Sequence, residues 1–261
     1  MNEIANRIEL NNGSKMPVIG LGTWQIPEGE ITENAVTWAL DTGYRLIDTA
    51  KIYHNEASVG AAIRNSSVPR SEIFLTTKLW GTDQFNIKKA FDASIAKLGL
   101  DYIDLYLVHW PVPGFIKSTW RSMEELLKTD DRCKAIGVSN YSIYQLQQVL
   151  KVASVKPVIN QVKFSPYDNK ADLLKFCKEN QIVLESYSPL TRGKQLTQTL
   201  LVEIARKYNK TAAQVLLRWG IQKGTIVIPK SQTQQRIAEN INIFDFEINE
   251  ADMEKLDQIQ Q

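Results

Sequence analysis

An acid, a phenol, an amine and an imidazole stand at or just beyond the ends of short apolar runs in this chain. Asp48 lies in "RLIDT", Tyr53 five residues further on, Lys78 closes "IFLTTK", and His109, one of two histidines, closes "IDLYLVH". A lysine ammonium withdrawn from water is costly unless paired, and Asp48 on the neighbouring run is its expected counter-ion. A charged lysine beside a phenol favours the phenolate, so Tyr53 is expected below the free value of about 10, able to give up and recover a proton. Neutral His109 has a hydrogen bond to donate to a carbonyl oxygen. Together these groups polarise a C=O. No serine or cysteine with an adjacent base is evident, so the attacking species has to be brought in, and a bound hydride donor meets that need. Each residue alone has a plainer use: Asp48 as a turn or helix cap, Lys78 and Tyr53 as solvated tips on apolar stems, His109 as a satisfied strand-end ring. Their convergence decides between the two.

Convergence requires elements that bring distant residues to one place. β-type runs recur at 17–23, 45–49, 73–78, 103–109, 133–139, 157–162, 182–188 and 225–230. Between them lie amphipathic stretches of helical period: "ENAVTWALDTG", "NIKKAFDASIAKLG", "WRSMEELLK", "SIYQLQQVLKVA", "ADLLKFCKEN" and "QTLLVEIARKY". "RIEL" and "MPVIG" around "NNGS" predict an opening hairpin, because Asn-Gly supplies the positive φ of tight turns. Eight strands with intervening helices over about 250 residues predict an α/β fold, a (β/α)8 TIM barrel with an N-terminal β-hairpin. An open doubly wound sheet would carry a glycine-rich turn between a strand and a helix, and "GLGTWQ" lacks the third glycine. No repeat or linker divides residues 1–261, so a single domain is expected.

In a barrel the C-terminal strand ends share one rim, where active sites are built. The residues closing each run map that rim: Thr23 and Trp24, Asp48, Lys78 with Trp80, His109 with Trp110, Ser139 and Asn140, Gln161, Tyr187 and Ser188, Lys230 with Ser231. A purely structural barrel has no need of so polar an edge.

Composition narrows the partners. With 43% hydrophobic and 23% charged residues the chain has the balance of a globular protein, and its 31 basic residues are dispersed among 29 acidic ones for a net charge of +2. Neither nucleic acid nor an anionic membrane is called for. No apolar run reaches the roughly 18 residues of a membrane helix. The N-terminus "MNEIANRIEL" has no signal-peptide core, and Cys133 and Cys177 have no metal-ligand spacing, so a cytoplasmic, metal-free protein with reduced thiols is expected; a monomer is the separate expectation for its assembly.

The segments "GYRLIDTAKIYHNEASVG", "LTTKLW", "DLYLVHWP", "AIGVSNY", "INQVKFSP" and "IPKSQTQQRIAEN", in that order, resemble the aldo-keto reductases, especially short bacterial members related to diketo sugar acid reductases. The likeness runs from "KMPVIGLGTW" to "IAENI". It implies NADPH-dependent reduction of a small-molecule aldehyde or ketone, with NADH also possible, Tyr53 as general acid, Lys78 and Asp48 tuning it, and His109 orienting the carbonyl. It further implies that Ser139, Asn140 and Gln161 hold the nicotinamide carboxamide beneath a stacked Tyr187. Gly22, Thr23, Ser188 and Leu190 would line the cofactor path, Lys230, Ser231 and Arg236 would bind the ribose phosphate, and Glu239 and Asn240 the adenine. Trp24, Trp80 and Trp110 would wall the substrate. Arg and Lys at a helix start suit a phosphate dianion. Only nine residues separate Trp110 from Trp120, and the chain ends about twenty after Asn240, so two substrate-covering loops are expected to be short and the pocket open. Thr191 and Arg192 in "SPLTRGK" depart from the Gly-containing loop common in bacterial members. Two other classes remain open at this stage: a Schiff-base, aldolase-like enzyme using Lys78, and a cofactor-binding module with little turnover.

Overall fold

The computed structural model describes residues 6–259. β1 (Arg7–Glu9) and β2 (Lys15–Pro17) form the antiparallel hairpin, turning at Gly13 with φ 82°. Eight parallel strands follow: β3 (Leu21–Gly22), β4 (Leu46–Asp48), β5 (Phe74–Leu79), β6 (Leu105–Val108), β7 (Ile136–Ser139), β8 (Ile159–Lys163), β9 (Val183–Tyr187) and β10 (Ile226–Ile228), hydrogen-bonded in sequence order. The first and last approach each other through bridges Ile19–Val227 and Gly22–Lys230, making a nearly closed barrel. Gly22 permits that closure: a Cβ there would lie 2.9 Å from the Ile228 carbonyl oxygen.

The crossovers carry α1 (Glu30–Thr42), α2 (Glu56–Asn65), α3 (Ile87–Leu98), α4 (Ile116–Thr129), α5 (Ile143–Leu150), α6 (Ala171–Glu179), and the pair α7 (Thr199–Lys207) and α8 (Ala212–Gln222). α9 (Gln234–Ile241) and α10 (Glu250–Asp257) follow β10. Local signals set their ends. Ser142 and Thr211 form capping boxes with Gln145 and Gln214, and Gly43 and Gly99 adopt the left-handed conformation that ends α1 and α3. α2, α8, α9 and α10 were not among the six amphipathic stretches. α2 has few large apolar residues because it lies close against α3, where a Cβ on Gly60 would sit 1.9 Å from the Leu98 carbonyl oxygen.

The two-residue pleat sorts side chains inward and outward. Ile47, Leu75, Tyr106, Val108, Ile136, Val138, Leu184 and Val227 pack outward into the cluster beneath the helices. Leu46, Phe74, Leu105, Leu107, Ala135, Ile159, Ile226 and Ile228 face inward, with Leu10 and Met16 of the hairpin region closing the floor. Continuing the same inward rows toward the C-terminal rim gives Asp48, Lys78, His109, Ser139, Gln161 and Glu185.

Candidate active site

At that rim the inward rows turn polar together. Lys78 is fully buried, and its Nζ lies 2.6 Å from Asp48 Oδ1, 2.9 Å from the Thr49 carbonyl oxygen and 3.3 Å from the Tyr53 hydroxyl. Tyr53 reaches this ammonium because β4 runs into a 3-10 turn, Lys51–Tyr53, which folds back over the rim. Two tethers hold the turn's surroundings. Lys51 pairs with Asp83 at 2.5 Å, and Asn55 donates to the Thr23 and Ile26 carbonyls while accepting from the Thr49 hydroxyl. Neither tether was read from the sequence, since each joins residues on separate loops.

Burial works against the Lys78 ammonium, but Asp48 and Tyr53 outweigh it and the net shift is upward. Burial also raises the Asp48 carboxyl against the pull of Lys78; with Lys78 and Gln161 both donating to it, carboxylate is the form its neighbours select. An ammonium so paired has no free lone pair, which counts against a Schiff base at Lys78. Tyr53 departs from expectation. Burial pushes its phenol up to about 12, more than Lys78 draws it down. The phenol is thus a proton donor in its resting form, and the ammonium's effect is greatest once negative charge develops on its oxygen.

His109 is buried edge-on to Tyr53 and Trp80, at ring separations of 5.6 and 5.3 Å. Burial, then the nearby Lys78, depresses its pKa to about 3, so the ring is neutral at ordinary pH. Its Nδ1 is buried without a hydrogen-bond partner. A neutral imidazole beside an acidic phenol offers two groups to one incoming oxygen.

These residues open into a cleft of about 300 Å³ lined by Trp24, Ile52, Tyr53, Trp80, His109 and Trp110 together with Gly22, Tyr187, Ser188, Arg192, Ile228 and Lys230. Asp48, Ser139, Asn140 and Gln161 complete the lining. Trp24 and Trp110 are exposed, as an open pocket requires. Ser139 donates to the Gln161 carbonyl at 2.9 Å; Asn140 donates to the His109 carbonyl at 3.0 Å and accepts from the Tyr187 hydroxyl at 2.9 Å. Asn140, Ser188, Thr191 and Arg192 hold positive φ, between 50° and 64°, and such strain outside glycine concentrates at functional sites.

Other expected positions lie outside the lining. Thr23 is buried and bonds the Asp48 carbonyl at 2.9 Å, anchoring the strand end. Leu190 is half-buried; Ser231 bonds its own turn before α9; Arg236 is exposed on α9; Asn240 is buried there; and Glu239 accepts from the Thr211 hydroxyl at 2.7 Å. Ile52, Glu185, Arg192 and Ile228 were not assigned to the site from sequence. Glu185 and Ile228 had one available signal, an inward position in the strand register, whereas Arg192 stands in the 3-10 turn Thr191–Gly193 after β9.

A nicotinamide nucleotide fits this donor set. The Gln161 amide nitrogen is committed to two carboxyls, so its oxygen remains to accept from a carboxamide, and Tyr187 offers an aromatic face. Lys230, Arg192 and Arg236 have no carboxylate partner among the described residues, which leaves their charge for phosphate.

Comparison with known proteins shows the family and the fold. Residues 18–261 match the model of the Aldo/keto reductase family. The glyoxal reductase of Bacillus subtilis (strain 168) is 45% identical over 97% of this chain and 92% of its own length; the methylglyoxal reductase DkgA of Escherichia coli (strain K12) is 43% identical over 96% and 93%. The crystal structure of MGS-M4, an aldo-keto reductase from a Medee basin deep-sea metagenome library, superposes with a TM-score of 0.93 at 43% identity, covering 98% of this chain and 95% of that one. A barrel whose inward rows end in a paired lysine and a neutral imidazole, with a phenol folded over them, and which is matched over nearly its whole length, belongs to the aldo/keto reductase family of oxidoreductases.

Proposed function

We propose that this chain reduces the carbonyl of a small aldehyde or ketone to an alcohol with NADPH, and that Tyr53, Lys78, Asp48 and His109 are its catalytic residues. The observation that carries this is the Lys78 ammonium held between Asp48 Oδ1 at 2.6 Å and the Tyr53 hydroxyl at 3.3 Å, beside a neutral His109. When bound, the dihydronicotinamide supplies the hydride to the carbonyl carbon. Tyr53 gives its proton to the carbonyl oxygen, and Lys78 stabilises the phenolate left behind. Asp48 keeps Lys78 charged, and His109 donates to the same oxygen and fixes its direction.

Ser139, Asn140 and Gln161 hold the carboxamide and Tyr187 the ring; Gly22, Thr23, Ser188 and Leu190 flank the path. Lys230, Ser231 and Arg236 take the ribose phosphate, and Glu239 and Asn240 the adenine. Trp24, Trp80 and Trp110 form the walls against the substrate, with N–H groups available to its oxygens. Named relatives reduce glyoxal and methylglyoxal, and the open, aromatic-walled cleft suits such small dicarbonyls. The enzyme so described is a single-domain monomer of the cytoplasm acting on a diffusible substrate, with no nucleic acid or membrane partner; among the described residues no helix is long and apolar enough to cross a membrane.

The test is Tyr53→Phe assayed with methylglyoxal. Turnover should drop by about 100-fold or more, while NADPH still quenches tryptophan fluorescence. Turnover kept in that variant removes the acid role; quenching without turnover in the unaltered protein leaves only a cofactor-binding module.

A further inference from the structure

Glu185 lies inside the barrel, on the inward row of β9, in register with Gln161 of β8 and Ile226 of β10. It is fully buried. Gln161 Nε2 donates to Glu185 Oε2 at 2.9 Å and to Asp48 Oδ2 at 2.8 Å, so one amide group bridges two buried carboxyls. The second Glu185 oxygen, Oε1, is buried with no partner.

The charge balance is uneven. The titratable and charged groups facing this space are Asp48 from β4, Lys78 from β5, Tyr53 from the 3-10 turn, His109 at the end of β6, Tyr187 on the same strand, Arg192 from the 3-10 turn after it and Lys230 beyond β10. The inward positions of β3, β7 and β8 at this level are Gly22, Ser139 and Gln161, and none carries charge. Among the described residues Lys78 is therefore the one buried cation facing this space, and Asp48 already holds it at 2.6 Å. A second buried carboxylate would have a single neutral donor on one oxygen and none on the other, and that arrangement is costly.

We propose that Glu185 is a positioning residue for the reaction: as a neutral acid it anchors the Gln161 amide and spares the Asp48–Lys78–Tyr53 cluster a second negative charge beside it. The proposal rests on the reductase reading of the same site. Consistent with it, burial, and then the Asp48 charge, push the Glu185 carboxyl up to about 8. Two consequences follow for the cleft. Gln161 cannot turn its amide without setting its oxygen against the Asp48 carboxylate, so the oxygen stays toward the cofactor. Ionisation of Glu185 in mild alkali would add negative charge near Tyr53, disfavour its phenolate and weaken it as a proton donor. His109 and Tyr53 themselves titrate far from this range, at about 3 and about 12.

The experiment has two arms. In the first, infrared difference spectra of cofactor-free protein, unaltered minus Glu185→Gln, are followed from neutral to alkaline pH. A protonated-carboxyl C=O band should be present at neutral pH and fade with a midpoint near 8; a carboxylate already ionised at neutral pH overturns the proposal. This arm is independent of turnover, so it stands even where the reductase reading fails. In the second, single-turnover NADPH oxidation with methylglyoxal should slow by about tenfold across the same range in the unaltered enzyme. In Glu185→Gln the profile should be flat; superimposable profiles overturn the proposal. Should Glu185→Gln not fold, Glu185→Asp, which keeps a carboxyl on a shorter stem, should displace the midpoint, and an unmoved midpoint is equally fatal.

Discussion

The barrel interior has two halves built by the same strands. In the lower half Leu46, Phe74, Leu105, Leu107, Ala135, Ile159 and Ile226 pack against Leu10 and Met16, and the buried Thr76, between Phe74 and Lys78 on one row, marks the change in character. Two or four residues further along the same inward rows come Asp48, Lys78, His109, Ser139, Gln161 and Glu185. Backbone geometry is shared, so the difference belongs to the side chains. The lower half holds the barrel together by burial and has no use for particular chemistry. The upper half withdraws charged and polar groups from water, which costs stability unless each finds a partner, and a fold has no reason to bear that cost except for function.

That contrast is broken most severely at Lys78. Lys78→Met would leave Asp48 buried without its cation, and removal of one member of such a pair costs about 3–5 kcal/mol of folding free energy. Urea unfolding should show that loss together with disappearance of aldehyde reduction; a stable, active Lys78→Met would dissolve the distinction between the halves. Leu107→Ala is the counterpart below. It should cost about 2–5 kcal/mol through lost burial and a cavity, yet leave KM for carbonyl substrate and NADPH unchanged at a temperature where the protein is folded. A changed KM would mean that the floor positions the site as well as supporting it.

Sequence made the upper half legible unevenly. Asp48, Lys78, His109, Ser139 and Gln161 each lie at the end of an apolar run or one residue before it, and period two is enough to send them inward at one rim. Glu185 sits within "IVLESYS" and ends nothing, so only a strand register that pairs it with Gln161 reveals its place. α2 was hidden because close approach to α3 demands small residues, and small residues leave no apolar stripe. The direction of the Tyr53 shift was missed for a different reason. Proximity to Lys78 is visible in the spacing, but the depth of burial that outweighs it depends on a loop folding back over the rim.

A third site lies outside both halves. Arg236 is exposed on α9 with no carboxylate partner among the described residues. If it takes the ribose phosphate, Arg236→Ala should weaken NADPH by about 10- to 100-fold, the worth of a charge-assisted hydrogen bond, and leave NADH nearly unaffected in fluorescence titrations. Equal weakening of both would place the phosphate elsewhere.

The smallest effect concerns His109, at the boundary between the halves. Its folded pKa of about 3 lies below the ordinary value of 6.5, because burial disfavours the cation. Between those two values the unfolded chain binds a proton that the native protein does not, so stability rises with pH and falls as pH drops through 6.5 toward 3. From pH 6.5 to 5.5 the unaltered protein should lose about 1 kcal/mol more than His109→Gln. His54 is common to both proteins and cancels in the difference. Parallel stability curves would mean that His109 carries its charge in the folded state. An imidazolium there would sit close to the Lys78 ammonium, against the repulsion that helps keep the ring neutral, and the hydrogen bond to the carbonyl would then come from a cation.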